Sequence, residues 1–460
     1  MLSPTSLGQI LESYPPAPTY WIAYSGGLDS MVLLALCAKL SKTNQSLRFA
    51  AIHIHHGLQS CADKWVDHCH QWCHLLGIPL NIVRLDARAE SGQSPEETAR
   101  KARYSALRQS LRSGDILLTA HHLDDQAETL LLQLLRGAGL AGMAAMPESA
   151  EFEPGLLIRP LLAFSREDLL DFARSHSLEW IEDPSNQTNQ YDRNFLRNSI
   201  IPLLKQRWPG LAHTLSRSAR HCAEAEGLLT ADATILLERC KMAKNSLSRQ
   251  ALQNISAPHQ RQVLRAWIKG NQMRMPSTRI INRILDESIN AADDRNPIIH
   301  WPEGEIRRYR DALFLLPALA EFKPPESQSW DDGEFITLAG DNGRLQLLAD
   351  HQPGISERLW ASEVVTIRYR RGGESLQLKG RAGTHQLKKL FQEVGIPPWI
   401  RERTPLIFIG SHLAAVAGFW IAAGFVAKPD ERQLSIEWLP PAWIKNDVPR
   451  EIASTYRSAE

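Results

Sequence analysis

Eleven residues near the N-terminus constrain this chain more than any others: residues 20–30, reading Y-W-I-A-Y-S-G-G-L-D-S. The apolar run 20–24 has the length and composition of a short buried strand. It breaks at Ser25-Gly26-Gly27, and residues 31–40 then read as a helix. Strand, glycine turn and helix together are the layout of a phosphate cradle. Glycine lets the backbone approach an anion with no Cβ in the way. The N–H groups of the first helical turn, with the helix dipole, favour negative charge there. Ser25 and Ser30 bracket the turn with hydroxyls, and Asp29 is an acceptor beside it. A carboxylate in that position makes sense when Mg2+ or a cationic substrate sits between it and the phosphates. The lysine that a Walker A loop places after its glycines is missing, as are the three glycines of a dinucleotide fingerprint. An ordinary glycine turn capped by Ser and Asp is the competing reading.

The pattern around this turn repeats. Residues 48–55, 80–85 and 115–120 read as strands, and 64–76, 95–111 and 124–135 as helices; 156–161 and 180–182 are further short strand candidates. Such alternation marks an α/β fold with a doubly wound parallel sheet. Ligands gather at the carboxyl ends of its strands. Polar clusters fall there at 25–30, 53–57 and 121–128. The alternation stops near Pro209-Gly210, so residues 1–210 are expected to form the catalytic domain. Residues 211–269 read as helical, and 211–325 as a mainly helical middle domain. The linker-like E-F-K-P-P-E-S-Q-S at 321–329 leads into a small α+β domain over 326–460. Its strand candidates are 335–338, 345–348, 364–369, 406–409, 414–419 and 434–438, with a helix at 386–395.

Several motifs carry chemistry. His121-His122-Leu123-Asp124-Asp125, followed by Glu128, puts two histidines and three carboxylates at a strand's end. Asp124 and Glu128 would share one helical face. Asp124 and Asp125 would also suit the first turn of a helix as simple dipole partners. The H-E-x-x-H order of a zinc site is absent, and hard carboxylates fit Mg2+ with ATP better. Arg100 and Arg103, beside Tyr104 on a predicted helix, are either anion ligands or a solvated face. Arg193, Asn194 and Arg197 can hold a phosphate or a nucleotide edge, or begin a solvated helix. The G-x-G-x-x-G at 137–142 follows a helix rather than a strand and fails the dinucleotide context. Cys69/Cys73 and His70/His74 sit four apart, a metal-like spacing for which a helix face is the milder home. Residues 366–403 hold nine Lys and Arg against three Glu, a net of +6 within a chain of net charge +1. Tyr369, Phe391 and Trp399 are interleaved there, a composition suited to an RNA backbone with aromatic contacts. A solvated face is the alternative. Six cysteines are sparse for 460 residues and fit a reduced, cytoplasmic enzyme. No secretory leader and no membrane-length apolar run is evident.

S-G-G-x-D-S at 25–30 resembles the signature of the PP-loop ATP pyrophosphatases, which split ATP between its α- and β-phosphates. With it stand H-I-H-H-G-L at 53–58, A-R-K-A-R-Y at 99–104, T-A-H-H-L-D-D-Q-A-E-T at 119–129 and R-G-A-G-L-A-G-M at 136–143. R-P-L-L at 159–162, E-D-P-S-N at 182–186 and R-N-x-x-R at 193–197 follow. R-R-G-G-E at 370–374 and K-K-L-F-Q-E-x-G-I-P-P-W at 388–399 close the series. In this order the chain resembles the bacterial tRNA(Ile)-lysidine synthetases over nearly its whole length.

That resemblance implies an ATP- and Mg2+-dependent ligase. It would adenylate the 2-carbonyl of the wobble cytidine in a CAU-anticodon isoleucine tRNA. The amine of free L-lysine would then displace AMP. By position, Ser25, Gly26, Gly27, Leu28, Asp29 and Ser30 would hold ATP, with Asp29 a possible Mg2+ ligand. His121 and Asp125, with Asp29, Arg100 and Arg103, would be catalytic. Arg193, Asn194 and Arg197 would hold substrate, and Arg370, Arg371, Lys388 and Lys389 would bind tRNA. No membrane partner is implied, and a homodimer is compatible. The main alternative is a PP-loop tRNA thiolase, but those use paired C-x-x-C cysteines and none occurs here. A small-molecule synthetase of the same fold would normally bring a glutaminase domain. A non-catalytic RNA-binding protein would have no use for Asp29, His121 and Asp125.

Overall fold

The computed structural model describes residues 1–55, 62–85, 95–183, 188–292, 296–331, 333–349 and 354–445. The apolar run ahead of the glycine turn is β1 (Tyr20–Ala23). It shares a six-stranded sheet with β2 (Phe49–His55), β3 (Leu80–Arg84), β4 (Ile116–Leu118), β5 (Ser149–Phe152) and β6 (Gly155–Ile158), in the order β3-β2-β1-β4-β6-β5. All pairings are parallel except that of the edge strand β5 with β6. Helices α1 (Pro4–Glu12), α2 (Leu28–Thr43), α3 (Ala62–Leu76), α4 (Pro95–Ser110), α5 (Leu123–Leu135), α6 (Leu140–Met143) and α7 (Arg166–Ser175) complete the layers.

Tyr20 on β1 pairs in register with Phe49 on β2 and with Ile116 on β4. The chain therefore winds outwards one way through β2 and β3 and the other way through β4 and β6. The strand order reverses between β1 and β4, and the crevice beyond their carboxyl ends is where such sheets bind ligands. Helix α2 is apolar around its circumference, so it is a core helix rather than a surface one. Residues 31–38 are each 0–1 % exposed, and α2 packs against α1 and α7. Its N-terminus is therefore held rigidly above β1. Cys69 and Cys73 belong to this core, and burial pushes both thiols up to about 12, which leaves them inert.

Residues 192–207 run helically through α8 (Asp192–Phe195), a wide π-turn (Leu196–Ile200) and α9 (Ile201–Arg207). Pro202 has no N–H to give back to residue 198, and the ladder widens ahead of it. The long α10 (Leu211–Cys240) follows. Residues 180–182 form no strand; instead the Ile181 N–H donates to Gly26 O at 2.9 Å and latches onto the glycine turn. His56 and Gly57 of the 53–57 cluster, and Pro184–Asn186 of the E-D-P-S-N motif, lie outside the described residues.

The chain divides into two compact units, Met1–Leu228 and Leu229–Glu460. In the second, helices α11 (Arg249–Gln253), α12 (Ala257–Gly270) and α13 (Thr278–Arg283) accompany a five-stranded sheet that the sequence reading did not mark. It comprises β7 (Lys241–Ala243), β8 (Ser246–Ser248), β9 (Ile298–Trp301), β10 (Gly304–Tyr309) and β11 (Ala312–Pro317), in the order β7-β8-β11-β10-β9. Leu247, Leu264, Trp267, Ile306 and Leu313 fill its core. A separate core within the same unit gathers Ile367, Phe391, Ile400, Ile407 and Val416. It lies under the antiparallel strands Val365–Arg368, Leu406–Ile409 and His412–Val416. Among the described residues no helix is long and apolar enough to cross a membrane.

Candidate active site

The cradle is built by the turn between β1 and α2. Gly26 sits at φ +86°, where an L side chain is strained. A Cβ there would also come within 2.9 Å of Ile181 Cδ1 and 3.2 Å of Cys69 Sγ. Gly27 caps α2 without a side chain, and the Met31 N–H, donating to Gly27 O at 2.9 Å, is the first to close the ladder. The N–H groups of Leu28, Asp29 and Ser30 lie ahead of it, aimed out of the helix end. Ser25, exposed, and Ser30, buried, face each other across the turn. Their hydroxyls lie 3.0 Å apart, Ser30 Oγ donates to Gly27 O at 3.0 Å, and the Ser25 N–H donates to Ser30 Oγ at 3.2 Å. They brace the turn.

The other wall comes from β4 and α5, and here the structure singles out a residue that the sequence reading passed over. His122 is 1 % exposed and caps α5: the Asp124 N–H donates to its Nδ1 at 3.2 Å, and its own N–H donates to Asp125 Oδ2 at 3.1 Å. Its Nε2 lies 3.6 Å from Asp29 Oδ2 and 3.4 Å from Asp125 Oδ2. Burial opposes charge on this ring, but Asp29, Asp125 and Asp124 outweigh it and raise the pKa. The cap at Nδ1 is that of the neutral Nε2–H ring. The first-turn carboxylates thus serve both as the capping cluster and as site groups.

His121, paired with Asp125 in the sequence reading, turns to Thr119, with Nδ1 and Oγ1 3.0 Å apart. Burial, reinforced by Arg159, Arg193 and Arg100, lowers its pKa to about 4 despite Asp125. It is neutral in the folded state down to that value, whereas an unfolded histidine takes up its proton near pH 6.5. Acidification from about pH 6.5 to about pH 4 therefore favours the unfolded chain and costs stability. His122, with its raised pKa, acts in the opposite sense. His121→Gln is expected to flatten the fall of unfolding free energy across that window, as read from denaturant midpoints at stepped pH.

Arg193 and Arg197 do not stand open for a phosphate; they enclose carboxylates. Arg193 Nε lies 2.8 Å from Glu128 Oε2, and its Nη2 lies 3.3 Å from Asp125 Oδ1. Arg197 Nε meets Glu128 Oε1 at 2.5 Å and its Nη2 meets Asp125 Oδ1 at 2.8 Å. Burial works against ionised Asp125, but His122, Arg193 and Arg197 hold its carboxyl below the usual range. Asp124 does not join Glu128; it binds Lys205 at 2.5 Å and accepts the Arg166 N–H at 2.8 Å, tying α5 to α7 and α9. Asn194 lies on the same helical stretch, half-buried.

Arg100 and Arg103 flank the Tyr104 ring at 5.0 and 5.7 Å. Burial lowers Arg103, with Arg100 and Arg193 adding repulsion; burial likewise lowers Arg159, with Arg100 adding. Among the described residues no carboxylate pairs with Arg100, Arg103 or Arg159. Arg159, missed by the sequence reading, follows the carboxyl end of β6, and that position was the available signal. Together these arginines form a cationic side of the crevice.

In the second unit the aromatics expected to contact RNA are core residues: Tyr369, Phe391 and Trp399 are 4 %, 0 % and 6 % exposed. Arg401 and Arg403 of the basic stretch are also buried, donating to Ile396 O and to Gly340 O and Ala320 O. Lys388, Lys389 and Arg371 are exposed, and Arg370 lies 3.8 Å from Glu374.

Residues 3–204 match the PP-loop domain, 247–314 the TilS substrate binding domain and 365–438 the TilS substrate C-terminal domain. The tRNA(Ile)-lysidine synthase of Methylococcus capsulatus is 46 % identical over 95 % of this chain and 99 % of its own. Those of Alkalilimnicola ehrlichii and Coxiella burnetii are 42 % and 40 % identical, over 95 % and 96 % of this chain and 98 % of each relative. With the cradle, the carboxylate wall and near full-length likeness in one molecule, the chain belongs to the tRNA(Ile)-lysidine synthase family.

Proposed function

We propose that this chain ligates lysine to the wobble cytidine of a CAU-anticodon isoleucine tRNA, forming lysidine. The observation that carries the reading is the meeting of the glycine turn after β1 with the His122–Asp125 wall after β4. The cytidine 2-carbonyl oxygen attacks the α-phosphorus of ATP, and the bond to pyrophosphate breaks. The lysine amine then attacks the cytidine C2, and the carbonyl oxygen departs with AMP. First-turn N–H groups of α2 bind phosphate oxygens, and Arg100, Arg103 and Arg159 stabilise charge that grows on the phosphates. His121, kept neutral, offers a hydrogen bond without adding to that positive charge.

The residues fit a Mg2+ as well. Asp29 Oδ1 is buried and has no hydrogen-bond partner in the protein, an oxygen of the kind that Mg2+ takes. Asp29 would hold the ion, which neutralises phosphate charge when bound. The thiolase alternative lacks both the C-x-x-C cysteines and the support of the curated relatives.

The test is incubation with ATP, labelled lysine and a CAU-anticodon tRNA transcript; label in the RNA supports the reading, and its absence with intact tRNA binding overturns it. The exposed lysines of the second unit supply a further check. Lys388→Ala with Lys389→Ala should weaken tRNA binding and reduce the slope of log K against log salt by up to about 2. An unchanged slope in filter-binding titrations would remove these lysines from the RNA interface.

A further inference from the structure

We propose that His122 is a positioning residue that couples the two halves of the adenylation site, its Nε2 edge facing Asp29 on the β1 side at 3.6 Å and Asp125 on the β4 side at 3.4 Å. This rests on the adenylating reading above. At 1 % exposure the ring is no surface group, and it is fixed at its other end by the Asp124 N–H on Nδ1 at 3.2 Å. Among the described residues it is the one basic side chain within 4 Å of the Asp29 carboxylate, whose other oxygen, Oδ1, has no hydrogen-bond partner in the protein. Asp125, on the far side, is gripped by Arg193 at 3.3 Å and Arg197 at 2.8 Å. These in turn enclose Glu128. One imidazole edge therefore stands between the first-turn carboxylate of α2 and the whole network of the opposite wall. Without it, Asp29 is a first-turn side chain with rotamer freedom. A misplacement of about 1 Å in a reacting constellation costs on the order of 100-fold in rate.

Only an imidazole does both tasks at this position, and two substitutions separate them. Asparagine places an oxygen where Nδ1 lies and is among the best N-caps, but it reaches neither carboxylate. Glutamine places an N–H donor near the Nε2 position and gives up the cap. His122→Asn is expected to keep the wild-type melting midpoint and ATP KM while kcat for pyrophosphate release falls about 100-fold. His122→Gln is expected to melt lower and yet to recover most of that rate. Rate losses that follow the melting midpoints, with glutamine no better than asparagine, would make His122 a structural cap only.

A measurement independent of turnover uses protein with 15N-labelled histidine. His122 should appear as an Nε2–H ring with a slowly exchanging proton, and Asp29→Ala should shift that signal and speed its exchange. An unmoved signal overturns the coupling. A shifted signal in a wild-type protein that releases no pyrophosphate upholds the coupling and overturns the adenylating reading instead.

Discussion

Asp29→Ala is expected to abolish AMP- and pyrophosphate-forming turnover, by about 1000-fold or more, while tRNA binding stays nearly intact. The carboxylate sits in the first turn of α2 with its side chain 36 % exposed, so its removal leaves no packed cavity. What it removes is the oxygen proposed to hold Mg2+ and the carboxylate beside His122. A preorganised group at the centre of developing charge is worth about 100- to 1000-fold in rate, and loss of the adjoining Mg2+ site would add to that. Pyrophosphate release under saturating ATP, lysine and tRNA measures the effect, and circular dichroism verifies the fold. Turnover within a few-fold of wild type would dissolve the assignment of Asp29. Asp125 is a less clean target. Its truncation would also strip the His122 N–H and two arginines of a partner, so Asp125→Asn is the better probe of chemistry there.

The largest effect on stability is expected at Glu128. It is 2 % exposed and accepts from Arg193 at 2.8 Å and from Arg197 at 2.5 and 2.9 Å. Glu128→Ala would leave two guanidinium groups facing each other with only Asp125 between them. Removing one partner from a buried ionic network costs about 3–5 kcal/mol. Arg193 and Arg197 are 28 % and 33 % exposed, so water relieves part of this and the lower end applies. A fall in melting midpoint of roughly 6–12 °C follows for a unit of this size. Arg197→Ala added to Glu128→Ala should recover part of the loss, since the second change removes the uncompensated charge. A Glu128→Ala protein as stable as wild type would show that the network contributes nothing net.

Much of the site was legible before any fold was known, because its pieces are local. Two glycines after an apolar run, with a helix behind, specify an anion cradle through backbone geometry alone. Carboxylates in the first turn of a helix are legible for the same reason. The separate parts of His121 and His122 were not. Adjacent residues leave a helix start in different directions, and only the fold sets His122 on the α5 cap beside Asp29 and turns His121 to Thr119. Arg193 and Arg197 read as anion ligands because nothing in their own segment shows that α8 lies along α5, where Glu128 and Asp125 wait. The aromatics of the basic stretch illustrate the converse. Composition marked Tyr369, Phe391 and Trp399 as RNA contacts, and hydrophobic packing placed them in the core. The sheet of the middle segment escaped because β7, β8 and β9 are only three or four residues long and the hairpins are joined by the distant pairing of Ser248 on β8 with Ala312 on β11.

The sequence by itself determined the cradle, the carboxylate block, the alternation of a parallel α/β domain and the family likeness, since each rests on residues near one another in the chain. The tertiary structure alone decided that β1 and β4 are neighbours, with Tyr20 paired to Ile116 and Trp21 to Leu117. Strand order is set by how crossover helices bury their apolar faces on the two sides of a sheet, a long-range packing outcome that no local pattern encodes. That order brings Asp29 and Asp125 to 3.6 and 3.4 Å from the His122 ring, and turns two separate motifs into one site.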